Sequence, residues 1–343
     1  MVKPPSVGVR PPGWVGLDAV DTSAALIDWS ERAEELGLDM VFVGDRLLPQ
    51  AVSEGRTVYG ATMLDAGAVL AAIAARTSRV RLGPLVLVLP FRHPIQVAKL
   101  TASLDVLSGG RLILGAGLGW NPSELAAFEV PARERGARFE LALEILRDLW
   151  CGQSVSCDRF WHFQDVGLAP LPVQAGGPPI WMASFSPGSA LDWKDDVPST
   201  LHAALERVGK LADAWVPLIY SASARRRIAP DVLARAWERV LAAATAAGRS
   251  RPEFVLSDWI YVLDRRDSIR RCQAALRGFF DGDWADARRT YSIGTVAEIC
   301  EMIAETTRAI DRVDGYVLTP LSAEVQQLDA IAQGVAPALR RGS

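Results

Sequence analysis

The chain has 343 residues, half of them hydrophobic and 22% charged, with a formal net charge of −3. That balance suits a large buried core and offers no basic face for a nucleic-acid backbone. Four scattered cysteines and three well-separated histidines exclude a disulfide scaffold and a short-spaced zinc site, and the longest apolar run, residues 83–91, is about half of a membrane span.

Strand-like and helix-like segments alternate from the first residues to the last. Val7-Gly8-Val9 is a short apolar start, followed by a helix from the cap residues Asp21-Thr22-Ser23 to Leu36 and ended by Gly37. Residues 38–43 read as a buried strand running into Gly44-Asp45-Arg46. A helix over 67–76 and a strand over 80–89 follow, then a helix over 93–107 closed by Ser108-Gly109-Gly110. Residues 111–115 give a fourth strand and 132–150 a long helix. The later strands are 179–183, 214–219, 253–263 and 313–318, with helices at 200–212, 231–247, 295–308 and 322–338. Residues 267–280 read as an extra helix, and the basic cluster Arg225, Arg226 and Arg227 as a solvated loop or helix start.

Continuous apolar strands without clean alternation mark parallel strands covered on both faces. Eight strand–helix units with no linker predict one (β/α)8 barrel spanning residues 1–343, with an open doubly wound sheet as the competitor. In a barrel, chemistry sits at the carboxyl ends of the strands. That rule selects Trp14, Asp45 and Arg46, residues 85–91, 115–124 and 184–186, Trp259 to Tyr261, and Thr319-Pro320.

Four runs within residues 83–150 are the most informative. They are Leu87-Val88-Leu89-Pro90-Phe91-Arg92-His93-Pro94, Leu104-Asp105-Val106-Leu107-Ser108-Gly109-Gly110-Arg111, and Gly115-Ala116-Gly117-Leu118-Gly119-Trp120 with Glu134-Arg135-Gly136-Ala137-Arg138-Phe139-Glu140 after it. In order and spacing they resemble the bacterial luciferase-like superfamily of flavin monooxygenases and oxidoreductases that use the deazaflavin coenzyme F-420. Pro178-Pro179-Ile180-Trp181, Leu211-Ala212-Asp213-Ala214-Trp215 and Gly294-Thr295-Val296-Ala297-Glu298 are similar to later parts of the same family.

Gly115, Gly117 and Gly119 remove side chains at a strand end, where a planar ring must lie close to backbone. A Rossmann reading competes for these glycines, but the third comes one residue early, Pro122 opens the next helix, and no ribose-binding acid stands about 20 residues on. The resemblance implies a cofactor site built from Asp45, Leu85, Val86, Gly117, Leu118, Gly119 and Trp120, with a non-proline cis peptide at Leu85–Val86. It places the phosphate at the helix start Ser199-Thr200, or at Ser184 or Ser186 if residues 184–198 are an insertion, with Arg135 and Arg138 completing the anion site; surface ion pairs are the plainer role for both arginines. Glu124 becomes the candidate proton donor or substrate orienter, against a plain first-turn acid. Arg46 stands where many relatives carry histidine; it stays charged and cannot be a general base, so it would bind an anion. His93 begins a helix and is expected to cap or pack. Trp14, Phe185, Trp259 and Tyr261 would line the substrate pocket with Trp120.

The resemblance implies an F-420-dependent hydride transfer to or from an alkene, imine, carbonyl or alcohol, with FMN-dependent monooxygenation as the alternative within the family. A barrel that binds flavin without turnover is the alternative of another class. A cytoplasmic homodimer, with no membrane, metal or nucleic-acid partner, is expected.

Overall fold

The structure, a computed structural model, describes residues 3–11, 19–48, 63–183, 199–221, 225–277 and 280–342. Fourteen strands are defined in these residues. They run β1 Ser6–Val9, β2 Met40–Val43, β3 Arg81–Pro84, β4 Leu87–Val88, β5 Leu114–Gly117, β6 Val155–Asp158, β7 His162–Val166, β8 Ile180–Met182, β9 Ala214–Trp215, β10 Tyr220–Ser221, β11 Arg226–Arg227, β12 Glu253–Val262, β13 Ser292–Gly294 and β14 Gly315–Pro320.

Nine of them form a parallel sheet in the order β3-β2-β1-β14-β12-β9-β8-β5-β4. The last strand returns to the first, with Ser6 opposite Gly315 and Val9 opposite Leu318. A parallel bridge between Leu82 in β3 and Leu112, two residues before β5, closes the path. β3 and β4 are therefore two pieces of one stave, and the barrel has eight staves, as the sequence pattern predicts. An open doubly wound sheet would leave β3 and β5 as edges. Here Ile113 N donates to Leu82 O at 2.8 Å across that closure.

Each stave is buried on both sides, but by two different sets of residues. Met40, Phe42, Ile113, Trp181, Ala214, Val216, Val255 and Val317 pack together inside the barrel. Their neighbours Val41, Val43, Leu112, Leu114, Ile180, Met182, Trp215, Phe254 and Leu318 pack outward against the helices. The period of two is present, but apolar residues on both faces hide it in the sequence.

The helices begin and end where local chemistry says they should. Gly37 takes φ +76° just after Ala19–Glu35, and Gly109 takes φ +66° after Pro94–Ser108, both in the left-handed region that glycine occupies freely. Thr295 caps Val296–Thr307 with a reciprocal capping box to Glu298. His93 caps Pro94–Ser108, its Nδ1 accepting from Ile95 N at 3.3 Å, as expected. Burial lowers the His93 pKa, which keeps the ring in the neutral form that capping requires.

Sequence periodicity did not reveal three features. An antiparallel hairpin, β6–β7, occupies the long loop after the helix Arg135–Trp150. A short helix, Trp284–Thr290, leads into β13, which extends the sheet beside β12. The basic cluster is neither a loop nor a helix start at its end: Arg226 and Arg227 form β11. Arg227 lies 2.9 Å from the fully buried Asp258 and donates to Ser292 at 2.9 Å. A buried carboxylate needs a paired cation, and that need overrides the usual preference of arginine for solvent.

Candidate active site at the barrel mouth

The loops following the carboxyl ends of the staves hold several of the sequence-selected residues in local contacts of their own. Asp45 follows β2, and its side chain is fully buried. Its Oδ2 accepts from Val88 N at 3.0 Å, and Arg92 Nη2 donates to Oδ1 at 2.8 Å. Arg92 Nη1 also donates to Val88 O at 2.8 Å. Asp45 and Arg92 thus hold β4 against the end of β2 from both its N–H and its carbonyl. Burial raises the Asp45 pKa; the charge of Arg92 and the Val88 N–H oppose that rise.

Leu85–Val86 between β3 and β4 is a cis peptide, the arrangement that the resemblance implies. The glycines of β5 face this segment, and they have a second reason beyond admitting a ring. A Cβ on Gly115 would lie 2.1 Å from Pro84 O, and one on Gly117 would lie 2.3 Å from Val86 Cγ2. A Cβ on Gly119, which takes φ +73°, would lie 2.7 Å from Val88 Cγ1. The space they free is occupied by the β3–β4 stave itself.

Glu124 sits in the first turn of the helix Pro122–Ala127 and is 6% exposed. Its Oε1 accepts from Leu47 N at 2.9 Å and Leu48 N at 3.1 Å. The carboxylate therefore ties the loop after Arg46 to the loop after β5. The Arg46 guanidinium lies 5.6 Å from the Trp120 ring centroid, and Trp120 is 57% exposed. Arg135 Nη1 donates to Gly119 O at 3.3 Å. Arg138 pairs with Glu134 at 3.3 Å and lies over Phe160 at 4.9 Å, the surface role rather than a free anion ligand.

Across the mouth, Trp259 is buried and stacks on Tyr291, with ring centroids 5.9 Å apart. Tyr261 lies in the same aromatic cluster with Tyr220 and Phe280, 1% exposed, and its hydroxyl donates to Glu324 at 3.3 Å. Burial and the Glu324 carboxylate push its pKa up. Trp14, Ser184, Phe185 and Ser186 lie outside the described residues. Ser199 and Thr200 open the helix Ser199–Leu211, and their side chains are outside the described set as well.

Arg10 was not singled out in the sequence. It directly follows β1, and because Val7 and Val9 pack outward, alternation turns Arg10 toward the lumen. Its guanidinium lies 5.6 Å from the Trp259 ring and 3.5 Å from Leu85 O. The signal available was a charged residue at the carboxyl end of a strand.

These residues fit an anionic, ring-bearing cofactor. Arg10, Arg46 and Arg135 supply cations around the mouth. Thr319 Oγ1, at the carboxyl end of β14, and Asn121 Nδ2, after β5, are buried without a hydrogen-bond partner among the described residues. Buried orphan donors are costly and point to a missing partner. Among the described residues no group of acids, histidines and cysteines is placed to hold a metal ion, and no helix is long and apolar enough to cross a membrane.

The model of a family described as luciferase-like monooxygenase matches residues 7–310. An F-420-dependent glucose-6-phosphate dehydrogenase from Kribbella flavida is 38% identical over 165 residues, 45% of this chain and 48% of that protein. The oxygenase component of a flavin-dependent trigonelline monooxygenase from Acinetobacter baylyi is 36% identical over 123 residues, 35% of this chain and 34% of that protein. The chain thus spans half or less of the length of these curated relatives. Among solved structures, a monooxygenase from Streptomyces bottropensis superposes with a TM-score of 0.77 over 97% of this chain and 99% of that one, at 23% identity.

Proposed function

The chain belongs to the luciferase-like monooxygenase family, and on that premise we propose that it is an oxidoreductase that binds coenzyme F-420 at the barrel mouth. Its reaction is hydride transfer to or from a small organic substrate: an alkene, imine, carbonyl or alcohol. F-420, when bound, supplies the hydride chemistry itself, and the protein supplies orientation and electrostatics.

The observation that carries this reading is the state of Glu124. Hydride addition to a double bond needs a proton as well, and a buried carboxyl group at the mouth is suited to give it. Oε1 is engaged by the Leu47 and Leu48 amides. Among the described residues no donor reaches Oε2, so that oxygen is the one left to meet a substrate. Arg46 orients an anionic group and cannot take a proton from it. The β3–β4 stave, held by Asp45 and Arg92, gives the flat wall, and the Ser199-Thr200 helix start with Arg135 receives the phosphate. Trp120, Trp259 and Tyr261 would exclude water from the substrate side, the part that the resemblance also gives to Trp14 and Phe185.

FMN with oxygen chemistry is the second reading, favoured by the name of the Acinetobacter relative. A homodimer belongs to the proposal too, supported by Val106 and Leu107 on the helix Pro94–Ser108, which are 42% and 64% exposed. The deciding experiment is equilibrium binding of oxidised F-420 and of FMN to the purified protein, side by side. Micromolar or tighter preference for F-420 is expected. Preference for FMN would transfer the assignment to monooxygenation. Binding without any substrate-dependent turnover would leave a non-catalytic flavin-binding barrel.

A further inference from the structure

A cleft of about 380 Å³ lies at the opposite end of the barrel from the mouth, beside the amino ends of β8 and β9. Its walls include Arg147, Gln174, Gly176, Asp213 and Arg249. We infer that this cleft is a second small-molecule site, independent of the cofactor reading, that binds phosphate or a small phosphomonoester between Arg147 and Arg249.

The charges do not balance within the cleft. Asp213 is the sole carboxylate among its lining residues. Both of its oxygens are committed, Oδ1 to Arg249 Nη2 at 2.9 Å and Oδ2 to Ile180 N at 2.8 Å. Two guanidinium groups against one carboxylate leave one formal positive charge, which the carboxyl end of the helix Ser199–Leu211 offsets only in part. Arg147 spends Nη2 on Leu211 O, and Arg249 spends Nη2 on Ala212 O at 3.0 Å as well as on Asp213. These bonds finish the carboxyl end of the helix Ser199–Leu211 and use one nitrogen of each side chain. Arg249 Nε is buried and finds no partner among the described residues. Burial, with Arg249 adding to it, pushes the Arg147 pKa below the ordinary arginine range. A dianion between the two side chains would offset the charge left unbalanced in the cleft.

The chemistry selects an oxyanion. A guanidinium presents paired donors that match phosphate geometry, and two of them from different elements fix its position. The volume exceeds what a bare phosphate fills, since a water occupies about 30 Å³, which leaves room for a few further heavy atoms. Gly176, with φ +81° and open space where a Cβ would stand, leaves one side of the cleft without a side chain, while Gly177, with φ +96°, makes room for the Trp150 ring that lines the cleft beside it.

Calorimetric titration of the full chain with inorganic phosphate at low ionic strength tests the inference. Saturable binding is expected, weakened roughly tenfold or more in Arg147→Met and in Arg249→Met. Arg135→Met, which alters the mouth, should leave this binding unchanged. Asp213→Asn, which removes the opposing charge but keeps an acceptor for Ile180 N, should tighten it several-fold; a merely damaged fold cannot produce that sign. Glycerol phosphate binding more tightly than inorganic phosphate would identify a phosphomonoester, and the reverse order free phosphate. Absence of saturable binding, or binding that survives Arg147→Met and Arg249→Met but is lost in Arg135→Met, would overturn the assignment of this cleft. F-420 affinity, measured in the same variants, reports on the mouth alone.

Discussion

Glu124 offers two roles that mutation can separate, because its two oxygens do different work. Oε1 holds two backbone donors, Leu47 N and Leu48 N, at 2.9 and 3.1 Å. Replacing Glu124 with alanine leaves both donors without that acceptor. A buried unsatisfied donor costs about 1–3 kcal/mol. Leu47 and Leu48 are only half-buried, so water recovers part of this, and about 2–3 kcal/mol is expected in total. Glutamine keeps a carbonyl oxygen in place of Oε1 and loses only the charge assistance, which is worth about 1 kcal/mol. Proton donation is affected differently, since both substitutions remove it completely. General acid catalysis contributes about 100- to 10,000-fold, so both variants should lose at least about 100-fold in turnover while differing in stability. Urea unfolding followed by fluorescence gives the stabilities, and steady-state turnover with F-420 gives the rates. Wild-type turnover in Glu124→Gln would remove the acid role. Unchanged stability in Glu124→Ala would show that the tie to the Leu47–Leu48 amides contributes nothing.

Two further predictions test how the scaffold is held. Burial alone would raise the Glu34 carboxyl, but the N–H groups of Val80, Arg79 and Ser78 and the Ser78 hydroxyl outweigh it and hold the pKa at about 2. A depressed carboxylate stabilises the fold above its unfolded pKa of 4.5 and loses that contribution as pH falls toward 2. Glu34→Gln should therefore cost about 1 kcal/mol, discounted for solvent screening, above about pH 5. The gap to wild type should close on acidification, and a gap that stays constant with pH would contradict the assignment. Gly117→Ala places a methyl group 2.3 Å from Val86 Cγ2 and should destabilise by about 1–3 kcal/mol. Adding Val86→Ala frees that space, so the double variant should recover part of the loss; strict additivity in thermal unfolding would refute the contact.

Much of the barrel was legible because its signals are local. Eight apolar segments separated by capped helices repeat regularly, and Gly37, His93, Gly109 and Thr295 mark helix ends by their own backbone preferences. The motifs from Leu87 to Glu140 carried the family resemblance, since they are contiguous in the chain. Carboxyl-end positions such as Asp45, Glu124 and Thr319 could be selected by the rule that barrels do their chemistry there. The β6–β7 hairpin was not legible: its strands are short, mostly polar and half-exposed, so no apolar period marks them.

The sequence alone determined the alternation of elements and the closed-barrel class, and it selected the carboxyl ends of the staves as the candidate site. Only tertiary structure decided what each selected residue touches. It made Gly115, Gly117 and Gly119 room for Pro84, Val86 and Val88, gave Asp45 to the Val88 amide, and turned Arg227 from solvent to Asp258. It also set Arg147 and Arg249, more than a hundred residues apart, on one cleft. Local propensity depends on a residue and its near neighbours, whereas pairing of charge and filling of space depend on which distant segments closure of the barrel brings within a few ångströms.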